Sequence, residues 1–160
     1  AIIDEKDVID DLAKKYFVPA NRAFYIGRGI DQTVSLESAL KLKEISYVQA
    51  EGFASGELKH GTIALIEEGT PVVGIITQKR TANLTRSNLQ ETESRGAATF
   101  TIVRKGLAEE DDTLIIPDVN ELITPLLSVV PAQLIAYYTS LNKGLDVDRP
   151  RNLAKSVTVE

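Results

Sequence analysis

The chain of 160 residues has no cysteine, no methionine, no tryptophan and a single histidine, His60. Without cysteine there can be no disulfide, thiolate nucleophile or cysteine-ligated zinc. With only one histidine besides, a dedicated transition-metal site is not expected. Without methionine the chain lacks an initiator, so either Ala1 follows methionine removal or the chain is a piece of a longer protein; the motifs below favour the piece. Positive charge is also scarce: 18 basic residues stand against 23 acidic ones, a formal net charge of -5. That balance argues against nucleic-acid binding, which needs a basic face to meet phosphates. It leaves open a small anionic ligand in a pocket with its own local field. The opening residues, with Asp4, Glu5, Lys6, Asp7, Asp10 and Asp11, contain no apolar run of the kind a secretory signal needs. The longest apolar stretch, Leu122 to Tyr138, falls short of the ~20 residues of a membrane span, and Pro125 and Pro131 interrupt it. No membrane partner and a cytoplasmic location are therefore the default expectations.

What is present is the make-up of one compact globular domain, 43% hydrophobic and 26% charged. Apolar spacing predicts an amphipathic helix over residues 2–16, a short strand from Ala23 to Ile26 stopped by Gly27-Arg28-Gly29, and a long helix from Val34 to Ala50. A loop with a helical turn is expected from Gly52 to Gly61. The nearly continuous apolar run Pro71 to Thr77 predicts a strand buried on both faces. A polar helix over Asn83 to Glu93, strands at Ala98 to Val103 and Thr113 to Ile116, and a helix from Glu121 to Asn142 complete the pattern. Pro131 is a candidate kink or break in that last helix, and Lys143-Gly144 its end. Strands alternating with helices predict an α/β fold with a mainly parallel sheet and helices on both faces. Ligands in such sheets sit beyond the carboxyl ends of the strands.

Within the long helix, Glu37, Lys41 and Glu44 recur at i, i+4 and i+7 and share one stripe. Leu36, Leu40 and Tyr47 flank the stripe on one side and Ile45 on the other. Ser38, Lys43, Ser46 and Gln49 lie on the more polar opposite side. Two readings fit: a surface salt-bridge ladder, or a polar stripe facing a pocket, with one carboxylate as general base and the other two groups fixing its charge and orientation. Gly27-Arg28-Gly29 could offer backbone N–H groups to an anion, but it lacks the third glycine of a dinucleotide loop and is better read as a tight strand-to-helix turn. By spacing alone His60 is a solvated residue in a polar loop. The final residues, Asp146 to Glu160, fit either a disordered terminus or a packed, extended tail.

Taken together, Leu36-Glu37-Ser38-Ala39-Leu40-Lys41-Leu42-Lys43-Glu44-Ile45-Ser46-Tyr47, Gly56-Glu57-Leu58-Lys59-His60-Gly61, and the ending Asp146-Val147-Asp148 through Pro150-Arg151-Asn152-Leu153-Ala154-Lys155 to Glu160 resemble the isomerase part of the glutamine–fructose-6-phosphate aminotransferase (glucosamine-6-phosphate synthase) family. The resemblance covers essentially the whole chain; Ser38 stands where the family pattern leads one to expect glycine. It implies a SIS-type, flavodoxin-like three-layer sandwich. Residues 1–143 would be the second of two sugar-isomerase (SIS) domains, and residues 144–160 a C-terminal tail carrying an active-site lysine. The first SIS domain, with its phosphate cradle, and the glutaminase domain would lie outside this chain, and the fragment alone would be inactive. The substrates implied are fructose 6-phosphate and glutamine-derived ammonia, and the assembly a homodimer. The resemblance gives Glu44 the role of base moving a proton between C1 and C2. It gives His60 a role in ring opening within a neighbouring subunit's site, and Lys155 that of a tail lysine able to form an imine with the open sugar. Ala154 would approach the sugar through its backbone, and Glu37 and Lys41 would support Glu44. No metal or organic cofactor is implied. Against this stand a non-catalytic sugar-phosphate sensor and another SIS-fold isomerase or deglycase. A sensor would need its own phosphate cradle, and no serine-rich loop follows the first strand.

Overall fold

The computed structural model of the protein describes residues 2–153. Five strands, β1 (Arg22–Gly27), β2 (Gln49–Ala54), β3 (Pro71–Ile76), β4 (Ala98–Arg104) and β5 (Leu114–Ile116), form one wholly parallel sheet in the order β2-β1-β3-β4-β5. Four α-helices join them: α1 (Lys6–Leu12), α2 (Ile30–Ser46), α3 (Ala82–Glu93) and α4 (Pro125–Asn142). Strand alternation divides the core in two. In β1, Ala23 and Tyr25 face α1, α2 and α4, where Ile9, Leu12, Leu42, Ile135 and Ala136 meet them. Phe24 and Ile26 face the other way, toward Leu89 of α3 and Leu58 of a short 3-10 turn. The result is the expected three-layer α/β/α sandwich, with the chain reversing direction in the strand order between β1 and β3.

The long helix is shifted from its expected place. It begins at Ile30 and ends at Ser46, and the residues assigned to its last turn open β2 instead. Tyr47 makes the difference, because it adopts the left-handed conformation (φ 60°) that ends helices. The edge strand β2 was missed because Ala50, Glu51, Gly52 and Ala54 are poor strand formers. Gly52 is required by packing: a Cβ there would lie 2.6 Å from the backbone of Ser35 and Leu36, so α2 rests almost directly on β2.

Pro131 does not break α4, which runs as one element of 18 residues. The proline forfeits one intrahelical bond, and burial of Ser128, Pro131, Ala132, Ile135 and Ala136 holds the helix in spite of it. Together with the turn Glu121–Ile123 the helical run reaches 22 residues, long and apolar enough by composition to cross a membrane. The helical run has the extent expected from the sequence, and it exceeds the apolar stretch Leu122 to Tyr138, which by itself is too short for a span. Its packing against α1 and α2 accounts for part of the apolar content, while Leu122, Ile123, Leu126 and Leu141 stay exposed.

Tyr25 is fully buried, and its hydroxyl has no hydrogen-bond partner among the described residues. Burial pushes the phenol well above its usual pKa. A buried unsatisfied polar group costs about 1–3 kcal/mol. Tyr25→Phe is therefore expected to raise the melting temperature by roughly 2–4 °C per kcal/mol recovered in a domain of this size. A fall in thermal unfolding temperature would mean that the hydroxyl is satisfied.

Candidate active site

The inner face of α2 mixes Val34, Ala39 and Leu42 with small polar residues. Ser35, Ser38 and Ser46 are fully buried, and each hydroxyl donates to the carbonyl four residues back, on Asp31, Val34 and Leu42. With their hydroxyls satisfied locally, the serines behave as small spacers that let the helix lie close to the sheet. This reverses the expectation for the helix: Ser38 and Ser46 mark its buried side, while Leu36 and Leu40, 51% and 40% exposed, face outward.

The charged stripe runs along the edge between these two sides. Lys41 Nζ lies 2.9 Å from Glu44 Oε2 and 3.5 Å from Glu37 Oε1, so one ammonium bridges two carboxylates. The three side chains are half-buried, at 33% for Lys41, 24% for Glu44 and 44% for Glu37. The hydrogen bond to Glu44, helped by the charge of Glu37, holds the Lys41 ammonium above its usual pKa. Ion pairs this exposed are worth only ~0.2–1 kcal/mol to stability. What the network does is fix the Glu44 carboxylate in orientation and keep a positive charge beside it.

At the opposite end of α2 lies the crevice between β1 and β3, where an open parallel sheet ordinarily receives ligands. Here protein groups fill it. Asp31, in the first turn of α2, is buried and accepts the Thr77 backbone N–H at 2.8 Å and the Thr77 hydroxyl. Thr77 Oγ1 lies 2.8 Å from Thr124 Oγ1, and the Gln78 amide donates to both threonines. Desolvation raises the Asp31 pKa, and the hydrogen bonds from Thr77 oppose it. A carboxyl in the first helical turn takes up the position an anion would occupy. Arg28 is likewise engaged, with Nε donating to Ser55 Oγ at 2.9 Å and Nη2 to Asn88 Oδ1 at 3.3 Å. Gly27-Arg28-Gly29 is thus a strand-to-helix turn, with Gly29 at φ 60°.

His60 closes the 3-10 turn Glu57–His60, beyond the carboxyl end of β2. It is exposed, and its side chain has no hydrogen bond or ion pair among the described residues. Glu44, near the other end of a 17-residue helix, lies at the amino edge of the sheet, and such a helix is ~25 Å long. The fold therefore does not bring Glu44 and His60 together. It does bring the tail toward Glu44. Gly144 (φ 70°) turns the chain out of α4, and Asp146 Oδ1 accepts the N–H groups of Asp148 and Arg149. The Arg151 N–H then donates to Tyr47 Oη at 2.9 Å, and its guanidinium lies 4.0 Å from the centre of the Tyr47 ring. Ala154 and Lys155 lie outside the described residues.

Asp31, Tyr47 and Arg151 escaped the sequence reading. For Tyr47 no signal existed, because a tyrosine stands where glycine or asparagine usually ends a helix. Among the described residues no cluster of acidic and histidine side chains could hold a metal ion. A hollow of about 340 Å³ at the amino edge, lined by Lys15, Tyr16, Arg22, Glu67, Glu68 and Thr70 among others, touches none of the candidate residues.

The model of the SIS domain matches residues 16–143. The chain belongs to the SIS-domain family. This SIS chain is 71% identical over its whole length to the glutamine–fructose-6-phosphate aminotransferase (isomerizing) of Lactiplantibacillus plantarum, and 58% identical to that of Shouchella clausii. It spans only 26% and 27% of the length of those relatives. Among solved structures it resembles the C-terminal domain of glucosamine-fructose-6-phosphate aminotransferase from Francisella tularensis. There the TM-score is 0.84 and the identity 33%, over 92% of this chain and 43% of that one.

Proposed function

We propose that this SIS domain is the C-terminal part of an isomerising glutamine–fructose-6-phosphate aminotransferase, which makes glucosamine 6-phosphate from fructose 6-phosphate and glutamine-derived ammonia. The observation that carries the reading is the approach of the tail to the Glu44 end of α2 through Arg151 and Tyr47, in a chain so similar to that enzyme. The reaction opens the ketose ring, condenses ammonia at C2 with loss of water, and moves a proton from C1 to C2. In this reading Glu44 takes the C1 proton and returns it at C2, while Lys41, braced by Glu37, keeps its carboxylate oriented. Lys155 reaches the open sugar from the tail and forms an imine with its C2 carbonyl, releasing the water; ammonia then adds to that imine and displaces the lysine amine, and Ala154 lines the sugar with its backbone. His60, exposed and remote from Glu44, serves ring opening in a second subunit, which makes the working enzyme a homodimer. The phosphate is held by a preceding SIS domain and ammonia is released by a glutaminase domain, both on the rest of the polypeptide. The work is cytoplasmic, where sugar phosphates are made.

Borohydride reduction tests the role of Lys155. With fructose 6-phosphate bound to the full-length enzyme, reduction is expected to fix a hexose phosphate on the peptide containing Lys155, read by mass spectrometry, and Lys155→Arg to abolish the adduct. An adduct on another lysine, or none, would remove Lys155 from the mechanism.

A further inference from the structure

Two observations at the end of α2 concern how the tail is held rather than the steps of the reaction. Tyr47 holds a left-handed backbone (φ 60°), a conformation that costs a side-chain-bearing residue energy and that glycine adopts freely. A backbone outlier of this kind is a reason to look for a role for its side chain. That side chain makes two distinct contacts to one residue of the tail: its hydroxyl accepts the Arg151 N–H at 2.9 Å, and its ring lies under the Arg151 guanidinium at 4.0 Å. A backbone bond and a ring contact to the same residue fix both where the tail crosses the helix and which way it points. The crossing comes three residues after Glu44, about one helical turn on. Lys155 is four residues beyond Arg151, within ~14 Å of extended chain.

We infer that Tyr47 is a positioning residue: it latches the C-terminal tail across the end of α2 and so delivers Lys155 to the sugar beside Glu44. The inference rests on the reading that Glu44 and Lys155 act on one substrate. Arg151 is exposed, so each contact is individually weak and the hold rests on the two together.

The test uses three variants of the full-length enzyme. Tyr47→Gly removes ring and hydroxyl while relieving the backbone, so the domain keeps its fold, checked by thermal unfolding. Tyr47→Phe keeps the ring alone, and Arg151→Ala removes the cation while keeping the backbone N–H. Tryptic cleavage after Lys155 reports the latch without reference to activity. It is expected to quicken about tenfold in Tyr47→Gly and less in the other two. The kcat for amino-sugar formation is expected to fall about tenfold in Tyr47→Gly, with the KM for fructose 6-phosphate little changed and Tyr47→Phe restoring part of the rate. Unchanged cleavage in Tyr47→Gly would overturn the latch. Faster cleavage with unchanged kcat would leave the anchor standing and instead overturn the joint action of Glu44 and Lys155.

Discussion

Replacing Glu44 by glutamine in the full-length enzyme is expected to lower amino-sugar formation by ~10²–10⁴, the range for loss of a positioned general base. The substitution is close to isosteric. The amide oxygen can still accept from Lys41 Nζ, now 2.9 Å from Glu44 Oε2, so the network of Glu37, Lys41 and residue 44 keeps its shape. What is lost is the ability to take a proton. The KM for fructose 6-phosphate should therefore change little while kcat collapses, the pattern of an interaction made in the transition state. Exchange of the C1 proton with deuterated solvent, followed by NMR, should disappear in parallel. Turnover within a fewfold of the unsubstituted enzyme would take Glu44 out of the catalytic role and leave the stripe a surface ladder.

The second large effect is an absence of catalysis. The isolated chain of 160 residues, given fructose 6-phosphate and ammonium, is expected to form no detectable amino sugar. Added ammonium bypasses the need for a glutaminase, so the assay isolates the isomerase step. Rate enhancement by positioning, an effective molarity of ~10⁵ M or more, requires the reacting carbons to be held within ~3–3.5 Å of the catalytic groups. The phosphate is the natural handle, and the place where this fold would grip it is filled by Asp31, Thr77, Thr124 and Gln78. Glu44 and Lys41 stand half-buried on an outer edge beside exposed Leu36 and Leu40, open to another domain rather than enclosed within this one. Turnover comparable to the full-length enzyme would show that this domain holds a complete site, and the division of labour proposed above would be wrong.

Much of the fold was legible because the inner strands announce themselves. Val72, Val73, Ile75 and Ile76 can be placed only in a strand covered on both sides, and all are buried. The edge strand β2 was not legible, since most of its residues suit other structures and its pairing to β1 is a tertiary fact. The stripe of Glu37, Lys41 and Glu44 was legible from helical spacing. Its surroundings were misjudged, because hydropathy counts a serine as polar whether or not its hydroxyl is satisfied by the preceding turn. Ser38 and Ser46 therefore look like an outer face, and together with Ser35 they line an inner one. The contacts of Asp31 with Thr77 and of Tyr47 with Arg151 span 46 and 104 positions, beyond the reach of any local pattern.

The seating of α2 has a mechanical consequence. Its first turn is tied to the sheet through Asp31 and Thr77, its middle rests on Gly52 with no room for a methyl group, and near its far end the Ser140 hydroxyl of α4 grips the Ile45 carbonyl at 2.8 Å. A rod fixed at three points along its length can neither slide nor roll. Glu44 therefore has no travel of its own relative to the sheet, and this domain behaves as a fixed jaw. In the enzyme proposed above, any closing stroke around the sugar would belong to the neighbouring domain that meets the jaw.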